Sequence, residues 1–210
     1  MEPFVRHRGK AAPLRLANVD TDQIIPARFM KKPRAAGYGR YLFHDLRFDA
    51  DGRERDDFVL NQEPWRDASV LVTGDNFGCG SSREAAVYAL VDFGVRCVVA
   101  PSFGDIFRQN AQKNGLLPIV LEPAAVARLD ARLAANPGFD VSVDLEACTL
   151  ATEGLGCWSF TVDPFARHCL LEGLDDIDLT REHEDAIADF ERRRAETAPW
   201  SLPAGRVSSR

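Results

Sequence analysis

Two hydrophobic periods run through this chain, and its middle third is the most regular. Ser69-Val70-Leu71-Val72-Thr73 is a short apolar run, and Ala85-Ala86-Val87-Tyr88-Ala89-Leu90-Val91 repeats at helical spacing. The spacing predicts a strand over 69–73, a helix near 82–93 ended by Gly94, and a buried strand at Cys97–Ala100. A helix from about 103 to 114 then stops at Gly115, and Leu117-Pro118-Ile119-Val120-Leu121 reads as another strand. Strands alternating with helices imply right-handed crossovers and a partly parallel sheet with helices against it. Pro118 has no backbone donor, which puts the last of these strands at an edge or a start.

Further on, Pro123 to Asn136 should be a helix, with Pro123 in its first turn and Asn136-Pro137-Gly138 at its end. Val141–Leu145 and Trp158–Val162 both alternate, with Gly154 and Gly156 between them, which suggests an antiparallel hairpin. Pro164 to Leu171 begins a helix closed by Gly173, and Thr180 to Ala195 forms a charged helix with Thr180 as its cap. Residues 31–57 mix Lys, Arg, Gly and Asp with Tyr38, Tyr41, Phe43 and Phe48. That is a long loop whose aromatics pack on something, either a surface excursion or a flap over a site or partner. The expected fold is α/β, a mixed, partly parallel sheet flanked by helices. One domain is expected over 1–196, with a loose tail over 197–210 that contains Pro199, Pro203 and Gly205.

Charge and cysteines narrow the functional classes. A formal charge of -6 argues against a general nucleic-acid binder. No stretch approaches the ~18–20 apolar residues of a membrane span, and the N-terminus lacks the apolar run of a signal peptide. Five cysteines, odd in number and without a Cys-x-x-Cys pair, point to reduced thiols of the cytosol. They also argue against an iron–sulfur cluster or structural zinc held by this chain alone.

The densest chemistry lies in Gly74-Asp75-Asn76-Phe77-Gly78-Cys79-Gly80-Ser81-Ser82-Arg83-Glu84. A glycine-rich turn between a strand and a helix delivers two hydroxyls, Ser81 and Ser82, and the Arg83 guanidinium to a helix start. Unpaired N–H groups there favour negative charge. The plain alternative is a capping box, Ser81-x-x-Glu84, in which the serine stabilises the helix by about 1 kcal/mol. Three glycines and an arginine suited to a carboxylate are more than a cap requires. Dinucleotide, P-loop and nucleophile-elbow templates all fail on the residues present.

Asn18-Val19-Asp20-Thr21-Asp22-Gln23-Ile24-Ile25-Pro26-Ala27-Arg28 is the second dense segment. It reads as a turn with Asx hydrogen bonds, or as a second wall of an acid site with Arg28 as another cation. Two aspartates are too few for a metal. In the third, Ser102 to Pro118, Phe103, Ile106, Phe107 and Asn110 share one helical face, and the Phe residues belong to a core. Cys79 in the turn is either a reactive thiol at a helix start or a small residue in a tight place.

Together these three segments, and Gly173-Leu174-Asp175-Asp176-Ile177 before a charged helix, closely resemble the aconitase superfamily. The match is to its swivel domain, in the form of the separate small subunits of bacterial 3-isopropylmalate dehydratases. It spans nearly the whole chain. The resemblance implies that Ser81, as an alkoxide, is general base, that Arg83 binds a substrate carboxylate, and that the amides of Ser82 and Arg83 stabilise the anion. It implies a [4Fe-4S] cluster in a large-subunit partner and none in this chain, a heterodimer or heterotetramer, and a small dicarboxylate substrate. The implied reaction removes water from 2-isopropylmalate and re-adds it on the neighbouring carbon, in leucine biosynthesis. Ala85 stands where the aconitase branch has His, which argues against aconitase activity itself. The rival readings are a small subunit acting on another diacid (citraconate, dimethylmalate or homoaconitate) and a non-catalytic anion-binding α/β module.

Overall fold

The structure, a computed structural model, describes residues 1–201. Contacts divide the chain into Met1–Gly173 and Leu174–Arg210. The first unit is built on seven strands: β1 (Arg6–Leu14), β2 (Val70–Thr73), β3 (Cys97–Ala100), β4 (Leu117–Val120), β5 (Asp140–Asp144), β6 (Thr149–Thr152) and β7 (Gly156–Ser159). They form one sheet in the order β4-β3-β2-β1-β5-β6-β7. The pairs β1–β2, β2–β3 and β3–β4 are parallel; β1–β5, β5–β6 and β6–β7 are antiparallel. This is the mixed, partly parallel α/β sheet read from the sequence. Pro118 does sit on an edge strand, paired on one side only, opposite Val98.

The helices are α1 (Thr21–Ile24), α2 (His44–Arg47), α3 (Glu84–Phe93), α4 (Asp105–Lys113), α5 (Pro123–Ala135) and α6 (Pro164–Glu172). In the parallel half, neighbouring residues of a strand face opposite layers, as a period of two requires. Ala12, Leu14, Leu71, Val98 and Ala100 pack with Ala86, Leu90 and Phe107 of α3 and α4. Ala11, Val70, Val72, Cys97 and Val99 pack with Val126, Leu129 and Leu133 of α5. The parallel strands are therefore buried on both faces between two helical layers.

β1 was not legible as a strand. Its first half, Arg6 to Lys10, is polar because one face is open: Arg6 pairs with Asp144 and Arg8 with Asp140 across the antiparallel ladder. Its second half, Ala11 to Leu14, enters the buried parallel half and turns apolar. The expected hairpin is a three-strand meander, because β6 intervenes and β7 ends before Phe160. Thr149-Leu150-Ala151-Thr152 is too short and polar to declare itself.

The 31–57 segment folds into single turns, at Arg34–Ala36, Tyr38–Tyr41 and α2. Tyr38, Tyr41, Leu42 and Phe43 are buried. A Cβ added at Gly39 would lie 2.6 Å from the backbone of Asp92, so this segment rests directly on the end of α3. Its aromatics are core, while Lys31 to Ala35 remain exposed.

In the second unit the charged helix is split into α7 (Asp176–Arg181) and α8 (Glu184–Thr197). Thr180 lies inside α7 and donates to the Asp176 carbonyl; the cap is Asp175, in a capping box with Asp178. Pro199–Ser201 forms a 3-10 turn, and residues 202–210 lie outside the described residues.

Candidate active site

Three parallel strands, β1, β2 and β3, end side by side, and the three dense sequence segments leave from those ends. Ligands of open α/β sheets bind outside the carboxyl ends of the strands. The loops are stitched together by backbone and side-chain bonds. Asn18 N–H donates to Asp75 O at 2.8 Å, and the Asn76 amide side chain donates to that of Asn18 at 2.9 Å. Asn76 N–H donates to Ser102 Oγ at 2.8 Å, and Gly104 N–H to Phe77 O at 2.9 Å.

Glycine is required here by space. Gly78 has φ +74, and a Cβ on it would fall 2.1 Å from Cγ of Phe107. At Gly104 a Cβ would fall 2.6 Å from the Gly78 carbonyl oxygen. The glycine-rich segment from Gly74 to Glu84 and the segment from Ser102 thus meet backbone to backbone, over a floor of Phe77 and Phe107 packed edge to face at 5.3 Å.

On this floor Ser81 and Ser82 are exposed and Arg83 is half-buried. The capping-box reading of Ser81 fails. The helix α3 begins only at Glu84, its N-cap is Arg83, and no side chain caps it. Gly80, at φ +85, turns the chain early, so Ser81 stands off the helix end. Glu84 instead accepts from the Asn114 side chain at 2.8 Å, tying the start of α3 to the end of α4. Burial, with the Glu84 carboxylate beside it, pushes the Tyr88 phenol upward.

Arg83 is paired with Asp22 across the site. Its amide donates to Ser81 O at 2.8 Å, so that donor is committed within the loop. This alters the expected oxyanion arrangement, leaving Ser82 as the amide not engaged in a hydrogen bond among the described residues. Asp20 caps α1, accepting from Gln23 N–H at 2.8 Å, while the Gln23 side chain accepts from Asp20 N–H. The Asp-Thr-Asp word therefore holds both the turn and the acid wall. Its first carboxylate caps, and its third residue, Asp22, faces the arginine.

Arg28 is elsewhere engaged. Its guanidinium makes a two-pronged contact with Asp45, lies 4.5 Å from the Phe29 ring, and borders a hollow lined by His44, Phe48 and Arg55. The contact holds the Asp45 carboxyl down at about 2, chiefly through the Arg28 hydrogen bond. Cys79 is half-buried in the turn; Cys97 is buried in β3, where desolvation pushes its thiol up to about 12. Among the described residues no three His, Cys, Asp or Glu side chains gather as a metal ion would need.

An exposed hydroxyl two residues from a guanidinium is a geometry that can serve proton transfer at a carbon next to a bound carboxylate. The residue pattern alone places Asp22 in the acid wall and gives Thr21 no role. The signal for Thr21 was proximity in sequence to Asp20 and Arg28, which does not say which side chain turns inward.

The family model of the aconitase C-terminal domain matches residues 1–124. The LeuD_N model matches 127–164, and the model of the C-terminal domain of the 3-isopropylmalate dehydratase small subunit matches 176–204. The 3-isopropylmalate dehydratase small subunit of Marinobacter nauticus is 50% identical, covering 98% of this chain and 100% of that protein. That of Jannaschia sp. is 54% identical over 95% of this chain and 100% of its own length. That of Rhodospirillum rubrum is 50% identical over 99% of this chain and 100% of its own. Among solved structures, 3-isopropylmalate dehydratase (leuD) from Methanocaldococcus jannaschii shares the fold, with a TM-score of 0.61 at 24% identity. That match covers 88% of this chain and 98% of the other.

Proposed function

This chain belongs to the 3-isopropylmalate dehydratase small-subunit family, and on that premise we propose how its residues serve the reaction. The chain is the small partner of a hydro-lyase that interconverts 2-isopropylmalate and 3-isopropylmalate by removing and re-adding water. One observation carries the assignment of roles: Ser81 is exposed, uncommitted to a helix cap, and two residues from an arginine already paired with a carboxylate. Ser81 takes the proton from the carbon next to a substrate carboxylate and returns it in the second half of the reaction. Arg83 exchanges Asp22 for that carboxylate, so its charge stays compensated before and after binding and its fork stays aimed. The Ser82 amide stabilises the Ser81 oxyanion.

The cluster that the superfamily uses is assigned to the large subunit. The described residues do not fit it, since Cys97 and Cys169 are buried and no three donors gather. The large subunit must close over the loop from Gly80 to Arg83, in a heterodimer or a heterotetramer. Five cysteines outside any disulfide suit a cytoplasmic setting, and among the described residues no helix is long and apolar enough to cross a membrane.

The assembled pair, given 2-isopropylmalate, citraconate, dimethylmalate and homoaconitate-type diacids in parallel, should show its highest kcat/KM on 2-isopropylmalate. Preference for another diacid would move the assignment to a sister enzyme, and turnover of none would leave an anion-binding module. Arg83→Lys keeps the charge but loses the fork. In the same assay it should lower kcat/KM by about 10- to 100-fold, the value of a charge-assisted contact of about 1.5–3 kcal/mol. Unchanged kinetics would remove Arg83 from the site.

A further inference from the structure

Asn18 to Thr21 runs beside Gly78 to Ser81 as a short parallel ladder. Gly78 N–H donates to Val19 O at 2.7 Å, and Cys79 N–H shares that acceptor at 3.2 Å. Thr21 N–H donates to Cys79 O at 3.1 Å. In a parallel ladder the next rung donated from this side runs from the amide two residues on, here Gln23, to the Ser81 carbonyl. That rung cannot form, because α1 begins at Thr21 and the Gln23 amide is turned onto the capping carboxylate of Asp20. The Thr21 side chain takes its place: Oγ1 donates to Ser81 O at 3.1 Å. Thr21 is only 2% exposed, so this donor sits in a buried position beside an otherwise exposed serine.

We infer that Thr21 is a positioning residue for the reaction, its buried hydroxyl completing the ladder and fixing the backbone from which the Ser81 side chain projects. The inference rests on Ser81 being the base. Apart from the Thr21 hydroxyl, the Ser81 carbonyl is held among the described residues only by Arg83 N–H, two residues away in the same loop. That bond moves with the loop and anchors it to nothing outside. The Thr21 hydroxyl joins the Ser81 peptide to a different segment, the one that also presents Asp22 to Arg83. Without it the peptide can rotate and carry Ser81 Oγ away from its line to substrate, a displacement of the kind that costs about 10²-fold when it reaches 1 Å. Substrate affinity, set by Arg83, should change little.

Three variants of the chain, each assembled with its large subunit, decide it. Thr21→Val keeps the shape and removes the hydroxyl; kcat should fall by about 10- to 100-fold with KM within about threefold of wild type. Thr21→Ser keeps the hydroxyl and removes the methyl; kcat should stay within about threefold. A packing role predicts the reverse order, with Val tolerated in the buried position and Ser impaired, and that order would overturn the inference. If Thr21→Val does not assemble, Thr21→Ala against Thr21→Ser gives the same contrast. Ser81→Ala in the same series separates the two levels. If it stays active, the assignment of the base fails. If it is inactive while Thr21→Val keeps its full kcat, the positioning role alone fails.

Discussion

Ser81→Ala is expected to lower kcat of the assembled enzyme by about 10²- to 10⁴-fold, the usual contribution of a positioned general base. Stability and assembly should be nearly untouched. Loss of a serine cap would cost about 1 kcal/mol, but Ser81 caps nothing here: α3 starts three residues later with Arg83 at its N-cap. An exposed side chain away from such features changes stability by no more than about 0.5 kcal/mol. Steady-state kinetics and thermal unfolding on the same preparation test both halves. A variant within a few-fold of wild-type turnover would take the base away from Ser81. A melting shift worth about 1 kcal/mol without a loss of rate would return it to a helix cap.

Purified alone, the chain is expected to fold, to show no iron–sulfur absorbance and to turn over no isopropylmalate. Addition of the large subunit under anaerobic conditions should bring activity up from background. The physical reason is that the site is half built. It offers a hydroxyl pair and an arginine at an exposed rim, and among the described residues no three metal donors gather. Turnover by the isolated chain, or a bound cluster within it, would overturn this division of labour. Failure to pair with the large subunit of the same organism would favour a stand-alone binding module. Protection of the Gly80 to Arg83 loop from hydrogen exchange in the complex would place the interface on the rim.

Much of the architecture was legible because it is local. The run from Ser69 to Val120 repeats strand, helix, strand in units whose apolar periods differ, and the glycines at 94 and 115 mark where the helices stop. Gly94, at φ +109, closes α3 in a conformation other residues rarely adopt. β1 and β6 were not legible, for opposite reasons. The alternation of β1 is masked by the ion pairs of its open face, and β6 has four residues of weak preference held by strands on both sides. The segment 31–57 looked like a loop because its apolar residues follow neither period. They are spaced to fit the end of α3 and the surface around it, and that spacing has no local rule.

The sequence by itself determined which chemistry this protein carries. A hydroxyl pair, a guanidinium and three glycines occupy one turn between a strand and a helix, and covalent order alone brings them within reach of one another. Only the tertiary structure decided what each of them does. It set Ser81 off the helix end, committed the Arg83 amide to the Ser81 carbonyl, gave Arg83 to Asp22 and Arg28 to Asp45, and put the Thr21 hydroxyl where a backbone rung is missing. Two of those outcomes depend on contacts across about 60 residues of chain, Thr21 to Ser81 and Asp22 to Arg83. They come about because parallel strands end side by side, and residue order carries no record of which strands do.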